Sequence, residues 1–227
     1  MSEPARSIFP DFPEYGREIT IRHLLTHTSG LPDYEELMDN TWTPTHQIQD
    51  QDVLDLLKRQ KKGKFAPGAS WSYSNSGYVV LGLIVAKMGA EPFGDFLHRR
   101  IFEPLHMKHT LAFVNGLNAV PSRALGHSRK DGAFIQTDQS STSATLGDGG
   151  IYSNVNDLSK WDEALRKNSL LSKSEMAPAL APIRLANGAL PNWPLDPNED
   201  NLAPGKPVSY GFGWYLAKVS TYEAVYG

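Results

Sequence analysis

Pro67-Gly68-Ala69-Ser70-Trp71-Ser72-Tyr73-Ser74-Asn75-Ser76-Gly77 runs straight into Tyr78-Val79-Val80-Leu81-Gly82-Leu83-Ile84-Val85-Ala86-Lys87-Met88. The first half reads as a Pro-Gly turn and a polar loop holding two aromatics. The second half is β-branched enough for a strand, but it is long and apolar on all sides until Lys87. It reads as a buried helix that stops at Gly89.

Working outward, the chain reads as helix-rich. Upstream, Thr20 can cap a helix in which Ile21, Leu24 and Leu25 form one stripe, ending at Thr28-Ser29-Gly30. Gln51 to Gln60 reads as a second helix on Val53, Leu54, Leu56 and Leu57. Glu3 to Gly16, rich in proline and aromatics, reads as extended chain across a surface. Downstream, Phe93 to Phe102 is a helix with Phe93, Phe96, Leu97 and Ile101 on one face and Pro92 in its first turn. Ala133-Phe134-Ile135 is a short candidate strand. Asp148-Gly149-Gly150 is a tight bend. Ser153 or Asn154 caps a helix to about Lys167 with Leu158, Trp161 and Leu165 facing inward. The five prolines between Pro191 and Pro207 mark a surface loop, and Tyr210 to Val219 alternates as a strand.

Composition narrows the function. The chain has 227 residues, 40% apolar and 21% charged, with a net charge of -3. That is a globular balance, without the clustered basic surface nucleic acid requires. The one basic run, Lys58 to Lys64, reads as solvated surface. With no cysteine, disulfides, thiolate catalysis and cysteine zinc sites are excluded, and the compartment stays open. No metal or cofactor is expected: His106 and His109 have ligand-like spacing without an evident third ligand. Met1 to Arg6 has no apolar core and does not read as a signal peptide. The longest apolar run, Tyr78 to Ala86, falls well short of the roughly 20 residues that span a bilayer.

Five blocks in order resemble the serine β-lactamase-like family, which includes class C β-lactamases, penicillin-binding D,D-peptidases and related esterases. They are Ile19 to Pro32 (with Leu24-Leu25-Thr26-His27-Thr28-Ser29-Gly30-Leu31-Pro32), Pro67 to Tyr78, Ile101 to Met107, Gly149 to Ser153 with Asp157-Leu158, and Tyr210 to Trp214. The resemblance implies an α+β fold of the serine β-lactamase/penicillin-binding (transpeptidase-like) type. It further implies that residues 1–227 are a partial domain, mostly the helical lobe with an incomplete antiparallel sheet. A lobe so exposed is expected to be marginal or aggregation-prone.

The family carries three catalytic elements: Ser-x-x-Lys, Tyr-x-Asn, and a late Lys-Thr-Gly or His-x-Gly. Tyr73-Ser74-Asn75 matches the second, making Tyr73 and Asn75 the candidate catalytic residues. No lysine here has a serine three residues before it. Lys61-Lys62-Gly63 precedes the Tyr-Ser-Asn loop and Lys87-Met88-Gly89 ends the helix after it, so neither can be the late element. The expectation is truncation at both ends. By the resemblance, Tyr73 would act as base beside a lysine that lowers its pKa, and Asn75 would hold the substrate amide.

The expected activity is therefore part of a serine hydrolase that opens an amide or ester (a β-lactam, a D-amino-acid peptide or an ester) through an acyl-enzyme, with this chain alone inactive. The rival is a non-catalytic member binding peptidoglycan-like peptides or a partner protein. A third option is assembly with separately encoded ends or a second copy. His27 reads as structural, satisfying free carbonyls at a helix end. Ser29 and Ser153 read as helix punctuation. His106 stands where relatives carry glycine, a position that asks for positive φ.

Overall fold

The structure is a computed structural model and describes residues 1–193, 206–219 and 222–226. The N-terminal stretch is not extended chain. It forms a one-turn helix, α1 (Ala5–Ile8), and a 3-10 turn at Glu14–Gly16, and it buries Ala5, Ile8, Phe9 and Phe12 in the main core. Positions 5, 8 and 9 follow the i, i+3, i+4 spacing of one helical face, and Phe12 folds back onto it from the turn beyond the helix end. That period outweighs the prolines around it.

Helix α2 (Ile21–Leu25) starts at Thr20, whose Oγ1 accepts the His23 amide at 3.3 Å while His23 Nδ1 accepts the Thr20 amide at 3.3 Å. Helix α3 (Asp50–Lys58) buries Val53, Leu54 and Leu57; it starts one residue before the expected Gln51 and ends two before the expected Gln60. Helix α4 (Asn75–Gly89) begins three residues before Tyr78 and leaves through Ala90 at φ 55°. Around these helices Ile19, Leu24, Leu31, Tyr34, Ile48, Val79, Val80 and Ile84 complete the main core.

Helix α5 (Phe93–Leu97) continues as a π-helical turn over His98–Phe102. The strands follow as β1 (Leu111–Ala112), β2 (His127–Lys130), β3 (Ala133–Gln136) and β4 (Ile151–Tyr152), then β5 (Tyr215–Val219) and β6 (Tyr222–Tyr226) after the last two helices. Those helices are α6 (Val155–Lys167) and α7 (Lys173–Met176). Three antiparallel pairs result: β1 with β4, β2 with β3, and β5 with β6. β2 and β3 meet at Asp131-Gly132, both at positive φ, the backbone of a tight hairpin.

Two expected details differ. The C-terminal strand starts at Tyr215 rather than Tyr210. Gly213, at φ 76°, turns the chain so that Tyr210 bridges back to Tyr215. In α6, Leu158 is 52% exposed and the inward positions are Asp157 and Ala164. The Asp157 carboxylate accepts from the His109 amide (2.7 Å), the Thr110 hydroxyl (3.1 Å) and Lys160 Nζ (2.6 Å), which rotates Leu158 outward. Of the expected loop from Pro191 to Pro207, residues 194–205 lie outside the described residues.

One contact positions the site. A Cβ on Gly82 would lie 2.8 Å from Gly147 Cα, and one on Gly147 would lie 2.4 Å from the Tyr78 carbonyl oxygen. Helix α4 therefore packs backbone against backbone on the loop that carries Asp148.

Candidate active site

The Tyr73-Ser74-Asn75 turn delivers its side chains by alternation. Trp71 and Ser74 are buried, Asn75 is half-buried, and Tyr73 is 42% exposed. Trp71 packs with Ile183, Trp193, Val208 and Tyr210 in a second apolar cluster beneath the turn. On either side of Tyr73 the backbone is tied to one residue: the Ser72 amide donates to the His27 carbonyl at 3.0 Å and the Ser74 amide to His27 Nδ1 at 3.2 Å. The Asn75 amide donates to Asp33 Oδ2 at 2.6 Å.

Tyr73 and Asn75 line one cleft of about 400 Å³ with Asp33, Glu35, Glu36, Trp193 and Tyr215. Among the described residues lining it there is neither a serine nor a lysine. Another cavity, about 390 Å³, lies between Phe96 and Ile101 on one side and Trp161, Leu165 and Met176 on the other. It is apolar and carries no acid–base pair.

The cleft is electronegative. Burial raises the Tyr73 phenol pKa, and the charges of Asp148, Asp33 and Glu35 raise it further. The same two causes, burial and then neighbouring carboxylates, raise Glu35. Asp33 is raised by burial against the donations of the Glu35 and Asn75 amides. Asp148 is raised by burial although the Tyr34 hydroxyl donates to its Oδ2 at 3.1 Å; its buried Oδ1 has no partner. Lys64 pairs with Glu36 at 2.7 Å and Lys58 with Asp11, so the basic run is partly spent on local pairs. A phenol in this field is a weak base until a cation stands beside it.

The sequence reading placed His27 at free helix carbonyls, and there the structure differs. Its side chain is 2% exposed; Nδ1 accepts from Ser74, and Nε2 lies 3.0 Å from the Tyr210 hydroxyl. Burial pushes its pKa down to about 3. Asp33, Glu35 and Asp148 were not singled out either. Their signal is tertiary, since 40 and 75 residues separate Asp33 and Asp148 from Tyr73. Ser29 Oγ accepts the Leu31 amide at 3.2 Å and Ser153 meets Thr110 at 2.8 Å, both away from the cleft lining. His106 takes φ 55°. Among the described residues no group of three or more His, Asp or Glu side chains is arranged to hold a metal ion, and no helix is long and apolar enough to cross a membrane.

The family model described as Beta-lactamase matches residues 1–227. This chain belongs to the Beta-lactamase family. Its α+β fold is the serine β-lactamase/penicillin-binding type. Penicillin-binding protein 4* of Bacillus subtilis is 33% identical over 219 residues, covering 91% of this chain and 44% of its own length. The chain thus spans less than half of that relative. The D-stereospecific amidohydrolase of Streptomyces sp. superposes with a TM-score of 0.77 at 24% identity, over 100% of this chain and 66% of its own. The D-amino acid amidase of Ochrobactrum anthropi SV3, solved with L-phenylalanine amide, superposes at 0.74 with 26% identity, over 100% and 61%. The Beta-lactamase match takes in all five sequence blocks, Tyr73 and Asn75 among them.

Proposed function

We propose that residues 1–227 are the tyrosine-bearing part of a serine hydrolase domain that opens an amide or ester through an acyl-enzyme. Tyr73 is its base and Asn75 its substrate-amide ligand. The observation that carries this is the shared cleft: Tyr73 and Asn75 stand side by side on its wall, with no serine or lysine among its described lining. The nucleophile and its lysine come from polypeptide outside these residues.

The chemistry then divides cleanly. A serine hydroxyl attacks only when a neighbour takes its proton. Tyr73, raised by burial and by Asp148, Asp33 and Glu35, takes it once a lysine ammonium offsets those carboxylates. Asn75 offers one donor and one acceptor to an amide. Without the activated nucleophile the rate falls by a factor on the order of 10⁶, about 8 kcal/mol, so this chain by itself is inactive.

The negative charge beyond what one lysine offsets, with Trp193 and Tyr215 as aromatic walls, favours a substrate carrying an ammonium near its scissile carbonyl. An amino-acid amide has that form, and the names of the amidase and the amidohydrolase above support it. In a polypeptide that joins these residues to a Ser-x-x-Lys segment, Tyr73→Phe is expected to lower kcat by about 10²–10⁴. An unchanged kcat would remove Tyr73 from the mechanism.

A further inference from the structure

We propose that His27 is a positioning residue for Tyr73: as a neutral imidazole protonated on Nε2, it clamps the turn on both sides of the phenol. The inference rests on the reading of Tyr73 given above.

The clamp has three points. The His27 carbonyl accepts the Ser72 amide at 3.0 Å, Nδ1 accepts the Ser74 amide at 3.2 Å, and the two rings lie 4.4 Å apart at 34°. The residue before Tyr73, the residue after it and its ring all rest on His27. A backbone amide only donates, so Nδ1 is bare and the proton sits on Nε2. Nε2 donates to the Tyr210 hydroxyl at 3.0 Å. Beside this pair the Tyr78 hydroxyl donates to the Leu25 carbonyl, at the end of α2, at 3.0 Å. The protonation of each ring nitrogen of His27 is therefore assigned from its own partner, the Ser74 amide on one side and the Tyr210 hydroxyl on the other.

This arrangement excludes His27 from touching substrate. Both ring nitrogens are engaged, the side chain is 2% exposed, and burial keeps the ring neutral. His27 itself sits at φ 55°, a left-handed conformation that costs a residue with a Cβ and persists where surroundings over-determine it. It also joins three of the five sequence blocks: its own, the Tyr73 turn, and Tyr210. A reacting phenol must be held to within about half an ångström, and among the described residues no other one accepts from both of its neighbours' amides.

The test separates the two nitrogens in the 227-residue chain. Asn places an acceptor where Nδ1 was, and Gln places a donor where Nε2 was. In His27→Asn, which loses the ring contact but keeps the acceptor for Ser74, exchange of the Ser74 amide is expected to match the parent, and the titration of the Tyr73 phenol, read by ring-carbon NMR, to move less than in His27→Gln. In His27→Gln, Ser74 exchange is expected to accelerate about tenfold and the Tyr73 titration to move. Ring ¹⁵N shifts of the unsubstituted protein should show the Nε2–H form, a readout that survives if either variant fails to fold. Equal Ser74 exchange and equal Tyr73 titration in both variants, or an Nδ1–H ring, would overturn the proposal. None of these readouts needs turnover. A silent Tyr73→Phe in an active polypeptide would sink the catalytic reading and leave the clamp standing.

Discussion

The Asp33 carboxylate accepts the Asn75 amide at 2.6 Å, so the first residue of α4 is capped by a side chain 42 positions away. Ser74, the residue next to the helix, makes no side-chain cap, and its hydroxyl is buried without a partner. Asp33 Oδ1 accepts the Glu35 amide at 3.0 Å. One half-buried carboxylate thus ties the Asp33–Glu36 turn to the start of α4, and with it two walls of the cleft.

Asp33→Ala is expected to cost about 1–3 kcal/mol, the range for losing a cap and leaving a half-buried amide unpaired. Asp33→Asn, which keeps an acceptor, should cost less. Urea midpoints and exchange of the Asn75 amide measure both. Equal stability of the alanine variant would show that the carboxylate is not the cap.

Gly82→Ala tests the backbone contact beneath the site. Alanine gains about 1 kcal/mol of helix propensity over glycine. Its Cβ would meet Gly147 Cα at 2.8 Å, and overpacking against backbone costs about 1–3 kcal/mol. The net is a loss, on the order of 1 kcal/mol, seen as a lower thermal midpoint. A gain would show that the Gly147 loop yields.

The helices were legible because their signals are local. Thr20 as cap, the Val53–Leu57 stripe and the apolar run after Tyr78 each lie within one turn or one period. The start of α4 was not, because its cap is Asp33. Leu158 was misread because the Asp157 carboxylate, held by residues some 48 positions away, sets the rotation of α6. At the site, Tyr73 and Asn75 were readable as part of a short motif. The electronegative field was not, because Asp33, Glu35 and Asp148 converge only in the fold. His27 lies within the Ile19 to Pro32 stretch, but a histidine at a helix end gives no local hint of which atoms it will bond.

Asp50 carries a pH signature. Burial raises its pKa to about 6 against the donations of the Leu146 and Gly147 amides. A carboxyl whose folded pKa exceeds the unfolded value near 3.8 binds its proton more tightly in the native state. The chain therefore gains stability from this group as pH falls from 6 toward 4, by up to about 3 kcal/mol. Denaturant midpoints at pH 7 and pH 4.5 should show that gain in the parent relative to Asp50→Asn. A pH-independent difference between the two would contradict it.

Asp157 works with the opposite sign. Burial opposes its charge, but Lys160, the His109 amide and the Thr110 hydroxyl hold its pKa below the ordinary carboxylate value. Its contribution is complete above about pH 4 and is lost as pH falls through the lowered folded value. Asp157→Ala is expected to cost about 1–3 kcal/mol at neutral pH, because the His109 amide and the Thr110 hydroxyl lose their acceptor. Unchanged stability at neutral pH would contradict that account of α6.

The most direct measurement is the intact mass of the purified 227-residue chain after incubation with an acylating β-lactam, alongside release of p-nitroaniline from a D-amino-acid p-nitroanilide. The account predicts an unshifted mass and no release above buffer. A stoichiometric mass gain on a serine of this chain, lost in Tyr73→Phe, would contradict it, because the nucleophile would then lie among these residues.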